Sequence, residues 1–157
     1  MSGVNKQDIY RELHEELEKR RVLQEHSFFL SDYVKIYFDP ENHMIYADWR
    51  GYQSEQSIME GSEQVLLALK HFGCSKVLND HTHVLGIWTP ASLWVGSDWL
   101  PRMKQAGLIQ FAWISSPSRL SQISTEESIS HFTDHDIVRT FFDIDEARKW
   151  LASSRDQ

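Results

Sequence analysis

Cysteine is nearly absent from this chain, which has one cysteine, four prolines and seven glycines in 157 residues. A single cysteine excludes an intramolecular disulfide and a multi-cysteine zinc site. No uncharged apolar run approaches the about 18 residues that span a bilayer, so no transmembrane helix is predicted. Basic side chains are also scarce, 16 against 23 acidic ones. The resulting formal charge of −7 argues against nucleic acid and against an anionic membrane surface as partners.

Apolar and aromatic side chains are abundant by contrast, at 41% and 12% of the chain, with six tryptophans. This content argues against intrinsic disorder, and the length predicts one globular domain. The polar start lacks the apolar core of a signal peptide, and a cytoplasmic protein is therefore expected.

The pattern divides the chain into residues 1–30, an N-terminal helix with a connector, and residues 31–155, an α/β domain. The helix extends from Lys6 to about Arg21, and its apolar stripe is narrow: Ile9, Leu13 and Leu17. Such a stripe is expected to pack on the domain or on a partner chain. Residues 22–32 are predicted to be a connector.

The domain begins with a hairpin and then alternates strands with helices, in the order ββαβαβαβα. This order predicts a mixed α/β sheet of about five strands, parallel after the hairpin. A glycine inside the first long helix, Gly61, indicates close packing, and Gly73 is placed to end that helix. In the next helix Thr89 is the expected N-cap, and Pro101 is expected to break or kink it. The predicted strands cover residues 33–38, 44–49, 76–79, 109–114 and 137–142; the predicted helices cover residues 54–71, 89–106, 117–132 and 144–151.

Four short segments resemble the SpoIIAA-like branch of the STAS domains, and the resemblance extends over residues 33–151. It is carried by Tyr-Ala-Asp-Trp-Arg-Gly at 46–51, Val-Leu-Asn-Asp at 77–80, Trp-Leu-Pro-Arg-Met at 99–103 and Phe-Phe-Asp-Ile-Asp-Glu-Ala at 141–147. The nearest likeness is to short bacterial proteins of this type. The resemblance implies a sheet of four or five strands with helices mainly on one face.

No single activity follows from this resemblance, because STAS domains include anti-sigma-factor antagonists, tails of anion transporters and sensory modules. SpoIIAA-like relatives are linked to lipid-like or other apolar ligands. Phosphorylatable antagonists carry Asp-Ser-Ser-Gly between the third strand and the second helix. Here residues 79–86 are Asn-Asp-His-Thr-His-Val-Leu-Gly. Asp80 stands where the motif's aspartate stands and Thr82 supplies a hydroxyl, but the paired serines are missing, which argues against a phospho-switch.

A chemically suggestive spot is His81-x-His83 beside Asp80. Two imidazoles two residues apart on an extended backbone point to the same side, and Asp80 or a distant histidine is the candidate third metal ligand. Eight histidines in the chain make a chance pair easy, and no established metal, nucleophile or phosphate-binding motif is found. Structural or solvated histidines are the preferred interpretation, no cofactor is predicted, and Cys74 is interpreted as a small buried apolar residue.

Four tryptophans between residues 88 and 113 form the other unusual feature. A kinked helix does not place every large ring on one buried stripe, so part of this aromatic surface is expected to line a pocket or an interface. Arg102 and Lys104 follow the helix break and are candidates to meet an acidic group. The predicted ligand-binding residues are Asp80, His81, Thr82, Trp88, Trp94, Trp99 and Arg102, with no catalytic or metal-binding residues assigned.

Three functional hypotheses follow. The preferred one is a non-enzymatic STAS-like binding or regulatory module that recognises a small apolar or lipid-like ligand, or a partner protein. The first alternative is a metal-dependent enzyme that uses Asp80, His81 and His83. The second alternative is a homo-oligomeric assembly protein, a homodimer held together by the N-terminal helix and exposed tryptophans.

Overall fold

The computed structural model of the chain describes residues 3–153. Within this range the order is αβββαβαβαβα. The predicted domain end at residue 155 lies outside the described residues. The strands are β1 Ser27–Leu30, β2 Val34–Asp39, β3 Met44–Tyr52, β4 Lys76–Leu85, β5 Gln110–Ile114 and β6 Val138–Phe141; the helices are α1 Lys6–Glu25, α2 Glu55–Phe72, α3 (residues 89–105), α4 Arg119–Ser130 and α5 Ile144–Ala152.

All six strands form one sheet, in the spatial order β1-β2-β3-β4-β5-β6. The first three strands pair antiparallel, and β3 to β6 pair parallel. The prediction of a mixed α/β sheet is confirmed. The sheet has six strands rather than about five, because one more strand precedes the predicted hairpin.

That additional strand, β1, lies in the segment predicted as a connector, residues 22–32. It has only four residues and pairs with β2 through an irregular register. Its aromatic side chains hold it in place: the ring of Phe28 lies 5.9 Å from that of Phe72, and the ring of Phe29 lies 6.4 Å from that of Tyr33. A strand this short is recognisable only from its long-range contacts.

The helices cover the two faces of the sheet unequally. On one face, called face A here, α2, α3 and α4 pack over the larger core, which includes Ile45, Val77 and Phe111. On the opposite face B, Ala147 and Leu151 of α5 cover a smaller core, and the sheet residues there are Leu78, Ala112, Ile114 and Phe141. Successive strand residues such as Val77 and Leu78 enter opposite cores, as strand geometry requires.

Helix α2 follows its sequence signals closely. Ser54 caps the first turn through a reciprocal pair of hydrogen bonds with Ser57. Gly73 ends the helix in the left-handed conformation, at φ 62°. Gly61 faces the sheet so closely that an added Cβ would lie 2.5 Å from Cη2 of Trp49. The close packing predicted for Gly61 is confirmed.

Strand β4 is much longer than the predicted 76–79 and includes His81 and His83, which lie beyond the predicted strand. Its pairing with β3 shifts from Asp48 opposite Asp80 to Arg50 opposite His83. Three steps along β4 therefore match two along β3, which is a β-bulge. Asn and Asp disfavour strands, but burial against β3 and β5 overrides that local preference here.

Helix α3 is continuous but changes its winding along its length. A 3-10 turn (Thr89–Ala91) and a short α-helical turn lead to a π-helical turn, Val95–Trp99, which is followed by α-helix, Leu100–Gln105. Thr89 lies inside the first turn and not at the expected N-cap. Pro101 does not break the helix. In a regular α-helix a proline ring clashes with the carbonyl group four residues earlier, but the wider π-turn before Pro101 makes room for the ring.

Candidate functional site

A small cavity enclosed by tryptophans lies under face A, between the sheet and helices α2 and α3. We call it the aromatic cavity. Every residue that lines it is buried. The lining residues are Trp49 of β3, Ile58 and Ser62 of α2, Asn79 and His81 of β4, Trp88 before α3, Val95 and Trp99 of α3, and Trp113 of β5.

His81 stands at the centre of three indole rings. Its imidazole centroid lies 5.1 Å from Trp113, 5.6 Å from Trp88 and 5.7 Å from Trp49. The first two contacts are edge-to-face, whereas the indoles of Trp88 and Trp113 stack on each other with centroids 6.0 Å apart. These are favoured aromatic geometries, and they give the cavity a rigid wall.

Two indoles of the lining are anchored by hydrogen bonds. Nε1 of Trp49 donates to Oδ1 of Asn79 at 2.8 Å, and Nε1 of Trp99 donates to the carbonyl oxygen of Ser62 at 2.7 Å. The first bond joins neighbouring strands, and the second joins α3 to α2. Both rings are therefore fixed in orientation as well as in depth.

Three other ring nitrogens of the lining are buried and make no hydrogen bond with residues 3–153: Nδ1 of His81, Nε1 of Trp88 and Nε1 of Trp113. A buried polar group left unpaired costs about 1–3 kcal/mol. Three such groups on one cavity are unusual, since buried polar atoms are nearly always paired. Three of the side chains that line the aromatic cavity therefore carry a polar ring nitrogen with no partner in the described chain.

The imidazole of His81 is uncharged at neutral pH. Desolvation by complete burial lowers its pKa to about 3 and outweighs the negative charge of Asp80, which acts in the opposite direction. A neutral imidazole has one N–H donor and one acceptor nitrogen. These three lining side chains thus carry no charge. The indole N–H groups of Trp88 and Trp113 can only donate a hydrogen bond, whereas Nδ1 of His81 can donate or accept one.

The cavity is small. The volume open to the centre of a water-sized sphere is about 10 Å³, which corresponds to about one water molecule. A larger occupant requires movement of a wall. The π-turn Val95–Trp99 supplies two of the lining side chains, and such turns are frequent at functional sites.

The structure brings together His81, Trp88 and Trp99 of the predicted ligand-binding residues. Asp80 and Thr82 do not join them, because alternation along β4 directs Asp80 to face B. There the two oxygens of Asp80 accept hydrogen bonds from the Tyr46 hydroxyl at 2.9 Å, the Thr82 amide at 2.9 Å and the Thr82 hydroxyl. Thr82 itself is exposed.

The remaining two predicted residues, Trp94 and Arg102, lie outside the cavity. The Arg102 guanidinium lies 5.7 Å from the Trp94 ring centroid and forms ion pairs with Glu63 and Asp98. Lys104 also has an acidic partner, Asp134, at 2.8 Å. Both basic groups proposed to meet an acidic ligand are therefore paired within the chain.

The proposed metal ligands do not converge. His81 is buried in the aromatic cavity, whereas His83 is exposed, because the bulge adds one residue between them and breaks the alternation that would direct both to the same side. Asp80 lies on the face opposite to His81. Over residues 3–153, no group of three or more His, Cys, Asp or Glu side chains is positioned to hold a metal ion.

A second polar cluster lies on face B. Asp48 accepts two hydrogen bonds from Arg50 through Oδ2, at 2.9 and 3.0 Å, while its buried Oδ1 has no partner in the described chain. Burial raises the pKa of Asp48 above its usual value, mainly by desolvation, although Arg50 opposes the shift. Tyr46, hydrogen-bonded to Asp80, likewise has a raised pKa because it is buried beside these carboxylates.

Cys74 is buried, as the sequence predicts, and burial raises the pKa of its thiol to about 11. A thiol with this pKa is almost wholly protonated at neutral pH and is a weak nucleophile. Its role in the fold is that of a small apolar side chain.

Sequence reasoning missed several residues of the aromatic cavity. Trp49, Ser62 and Asn79 line the cavity but are not among the ligand-binding residues that the sequence predicts. Strand alternation was the available signal, because Asn79 shares a face with His81. No local sequence signal indicates that Ile58 and Ser62 of α2 line the same cavity from the helix side.

Comparison of the chain with protein-family profiles, curated proteins and solved structures finds no match. No helix within residues 3–153 combines the length and the apolar character needed to cross a membrane.

Proposed function

We propose that this chain is a non-enzymatic, STAS-like binding or regulatory module and that the aromatic cavity is its ligand site. One observation carries the proposal: three residues that line a single cavity, His81, Trp88 and Trp113, each have a buried ring nitrogen without a hydrogen-bond partner in the described chain. A ligand that pairs with these nitrogens gains hydrogen bonds to buried groups that have no partner within the described chain. Three of the segments that resemble SpoIIAA-like STAS domains, residues 46–51, 77–80 and 99–103, contribute Trp49, Asn79 and Trp99 to this cavity.

The lining favours a small, uncharged ligand. None of its side chains is charged, so an ionic ligand would lose its hydration without gaining a counter-charge. The indole N–H groups of Trp88 and Trp113 require a hydrogen-bond acceptor such as a carbonyl or ether oxygen. Ile58, Val95 and the indole faces favour an apolar remainder, and the volume favours a compact molecule over a lipid chain.

Binding suits this site better than catalysis. A general base works best when its pKa lies near the operating pH, and the pKa of His81, about 3, is far below it. The lining includes no carboxylate and no thiol. The arrangement provides recognition by shape and hydrogen bonding, with no group suited to proton transfer at neutral pH.

Thermal denaturation with matched probes tests this proposal. Acetone and cyclohexanone are uncharged acceptors, cyclohexane has no acceptor, and cyclohexanecarboxylate is charged. We expect the ketones to raise Tm through preferential binding to the folded state, cyclohexane to raise it less, and the carboxylate not to raise it.

Two variants assign any effect to the cavity. Trp88→Phe removes one of the two unpaired indole N–H groups and should reduce the advantage of cyclohexanone over cyclohexane. Trp94→Phe, on the same helix but outside the cavity, should retain it. The proposal would be overturned by ketones that leave Tm unchanged, or by equal losses in the two variants, provided that near-ultraviolet circular dichroism shows both to be folded.

A further inference from the structure

Helix α1 is the one long helix of the described chain with no buried residue. It has 20 residues, which at 1.5 Å per residue gives a length of about 30 Å. Only its last turn approaches the sheet, where Val22 and Leu23 are half-buried. The apolar stripe predicted from the sequence is uncovered: Ile9, Leu13 and Leu17 are each about half exposed.

In proteins, most of the stability of a helix comes from packing of its apolar face rather than from helix propensity. The intrahelical ion pairs of α1, such as Asp8 with Arg11 at 3.2 Å, are exposed and add only about 0.3–0.5 kcal/mol each. The domain itself does not cover the stripe. The stability of α1 as a helix therefore points to a second surface that packs against its apolar stripe.

The sequence of α1 indicates which surface that is. Ile9, Leu13, Glu16, Arg20 and Leu23 recur at alternating intervals of four and three residues, which is the spacing of the seam in a two-stranded coiled coil. The two charged seam residues have opposite signs. Within one helix they already lie close, with Glu16 Oε1 and Arg20 Nε 3.5 Å apart and both side chains mostly exposed.

We propose that α1 pairs antiparallel with α1 of a second copy of this chain. The seam alternates between two kinds of position, a (Leu13 and Arg20) and d (Ile9, Glu16 and Leu23). In an antiparallel pair each a position faces a d position of the partner helix. Glu16 therefore lies opposite Arg20 of the second copy, and Leu13 lies opposite Leu23. A parallel pair would instead place Glu16 against Glu16 and Arg20 against Arg20. The charge pattern is thus self-complementary in one orientation only, and the arrangement has the two-fold symmetry typical of homodimers.

Light scattering coupled to size-exclusion chromatography tests the pairing. At about 300 µM the wild type should give twice the mass of the 18.4 kDa chain, and the mass should fall towards the monomer at about 3 µM. Glu16→Arg and Arg20→Glu should each remain monomeric, because like charges then meet in the seam. The double variant, Glu16→Arg with Arg20→Glu, should dimerise again.

Glu15→Arg is the matched control, since it makes the same charge change on the opposite side of the helix and should dimerise like the wild type. A monomeric wild type at about 300 µM overturns the proposal. So does a Glu16→Arg variant that dimerises as well as Glu15→Arg. The folded domain of each variant is checked by near-ultraviolet circular dichroism.

Cysteine cross-linking tests the orientation. Leu13→Cys and Leu23→Cys, oxidised separately, should form little disulfide-linked dimer, whereas an equimolar mixture should form it readily. Efficient cross-linking of Leu13→Cys with itself would show a parallel pair and would overturn the antiparallel arrangement. The native Cys74 is buried and does not compete.

Discussion

Gly61 of α2 lies directly against the indole of Trp49 on β3, so closely that a Cβ on residue 61 would come within 2.8 Å of both Cη2 and Cζ3 of that ring. This contact seats α2 on the sheet beside the aromatic cavity. It explains a helix-interior glycine that costs about 1 kcal/mol in helix propensity relative to alanine.

Gly61→Ala should therefore destabilise the protein, by about 1–3 kcal/mol of overpacking, although alanine is the better helix former. Urea denaturation measures the change. The matched test repeats the substitution in a Trp49→Phe background, where the distal ring atoms that clash are absent. There Gly61→Ala should have little effect, and an equal loss in both backgrounds would contradict the packing explanation.

A tighter contact joins α3 to α4. A Cβ on Gly96, inside the π-turn, would lie 2.1 Å from the carbonyl oxygen of Ser128, which is backbone and cannot rotate away. Gly96→Ala should separate the two helices and lower stability by about 3 kcal/mol or more. Ser97→Ala, at the next, exposed position, should change stability by less than about 1 kcal/mol. Similar Tm values for the two variants would contradict this contact.

The buried imidazole predicts a dependence of stability on pH. His81 has a pKa of about 3 in the folded chain against 6.5 for an ordinary histidine, so the unfolded chain binds the extra proton between these values. The free energy of unfolding should therefore fall as pH decreases below 6.5. At pH 4.5 the loss due to His81 should be about 2–3 kcal/mol.

Urea denaturation at pH 7 and pH 4.5 measures this effect. His81→Phe, which keeps an aromatic ring and cannot be protonated, should lose less stability over this interval than the wild type. His83→Phe, at the exposed histidine, should lose as much as the wild type. Equal pH dependence in the wild type and His81→Phe would show that the buried imidazole is not the cause.

On face B, the hydrogen bond from Tyr46 to Asp80 should be measurable in the same way. Tyr46→Phe leaves one carboxylate oxygen without this donor and should cost about 1–2 kcal/mol. Asp80→Asn also weakens the bond and disturbs the contacts to Thr82. The double variant should be less destabilised than the sum of the single variants, and strict additivity would exclude a direct interaction.

Short-range sequence signals predicted the features of the fold that depend on interactions within one helix or strand. Ser54, Gly61 and Gly73 are each sufficient to place a boundary or a contact of α2, because capping, backbone conformation and periodicity act within one helix. The alternation of strands and helices likewise predicted the mixed sheet. These features needed no knowledge of which segments meet.

The features that the sequence did not predict depend on contacts between segments that are distant in the chain. The segment around His81 is polar and locally unfavourable as a strand, and it becomes one only because β3 and β5 lie on either side of it. The bulge beside His81 then directs His83 away, which periodicity alone does not foresee. Trp49 joins the aromatic cavity for a similar reason, since its position opposite α2 depends on the packed fold.

The stacked indoles of Trp88 and Trp113 are also a pair of coupled chromophores. Because their planes are 13° apart and their centroids 6.0 Å apart, we expect their electronic transitions to couple and to contribute a signature to the circular dichroism spectrum. An occupant that separates or tilts the rings changes this signature without any added label. The protein thus carries an intrinsic optical reporter of the state of its cavity, distinct from the overall fluorescence of its six tryptophans.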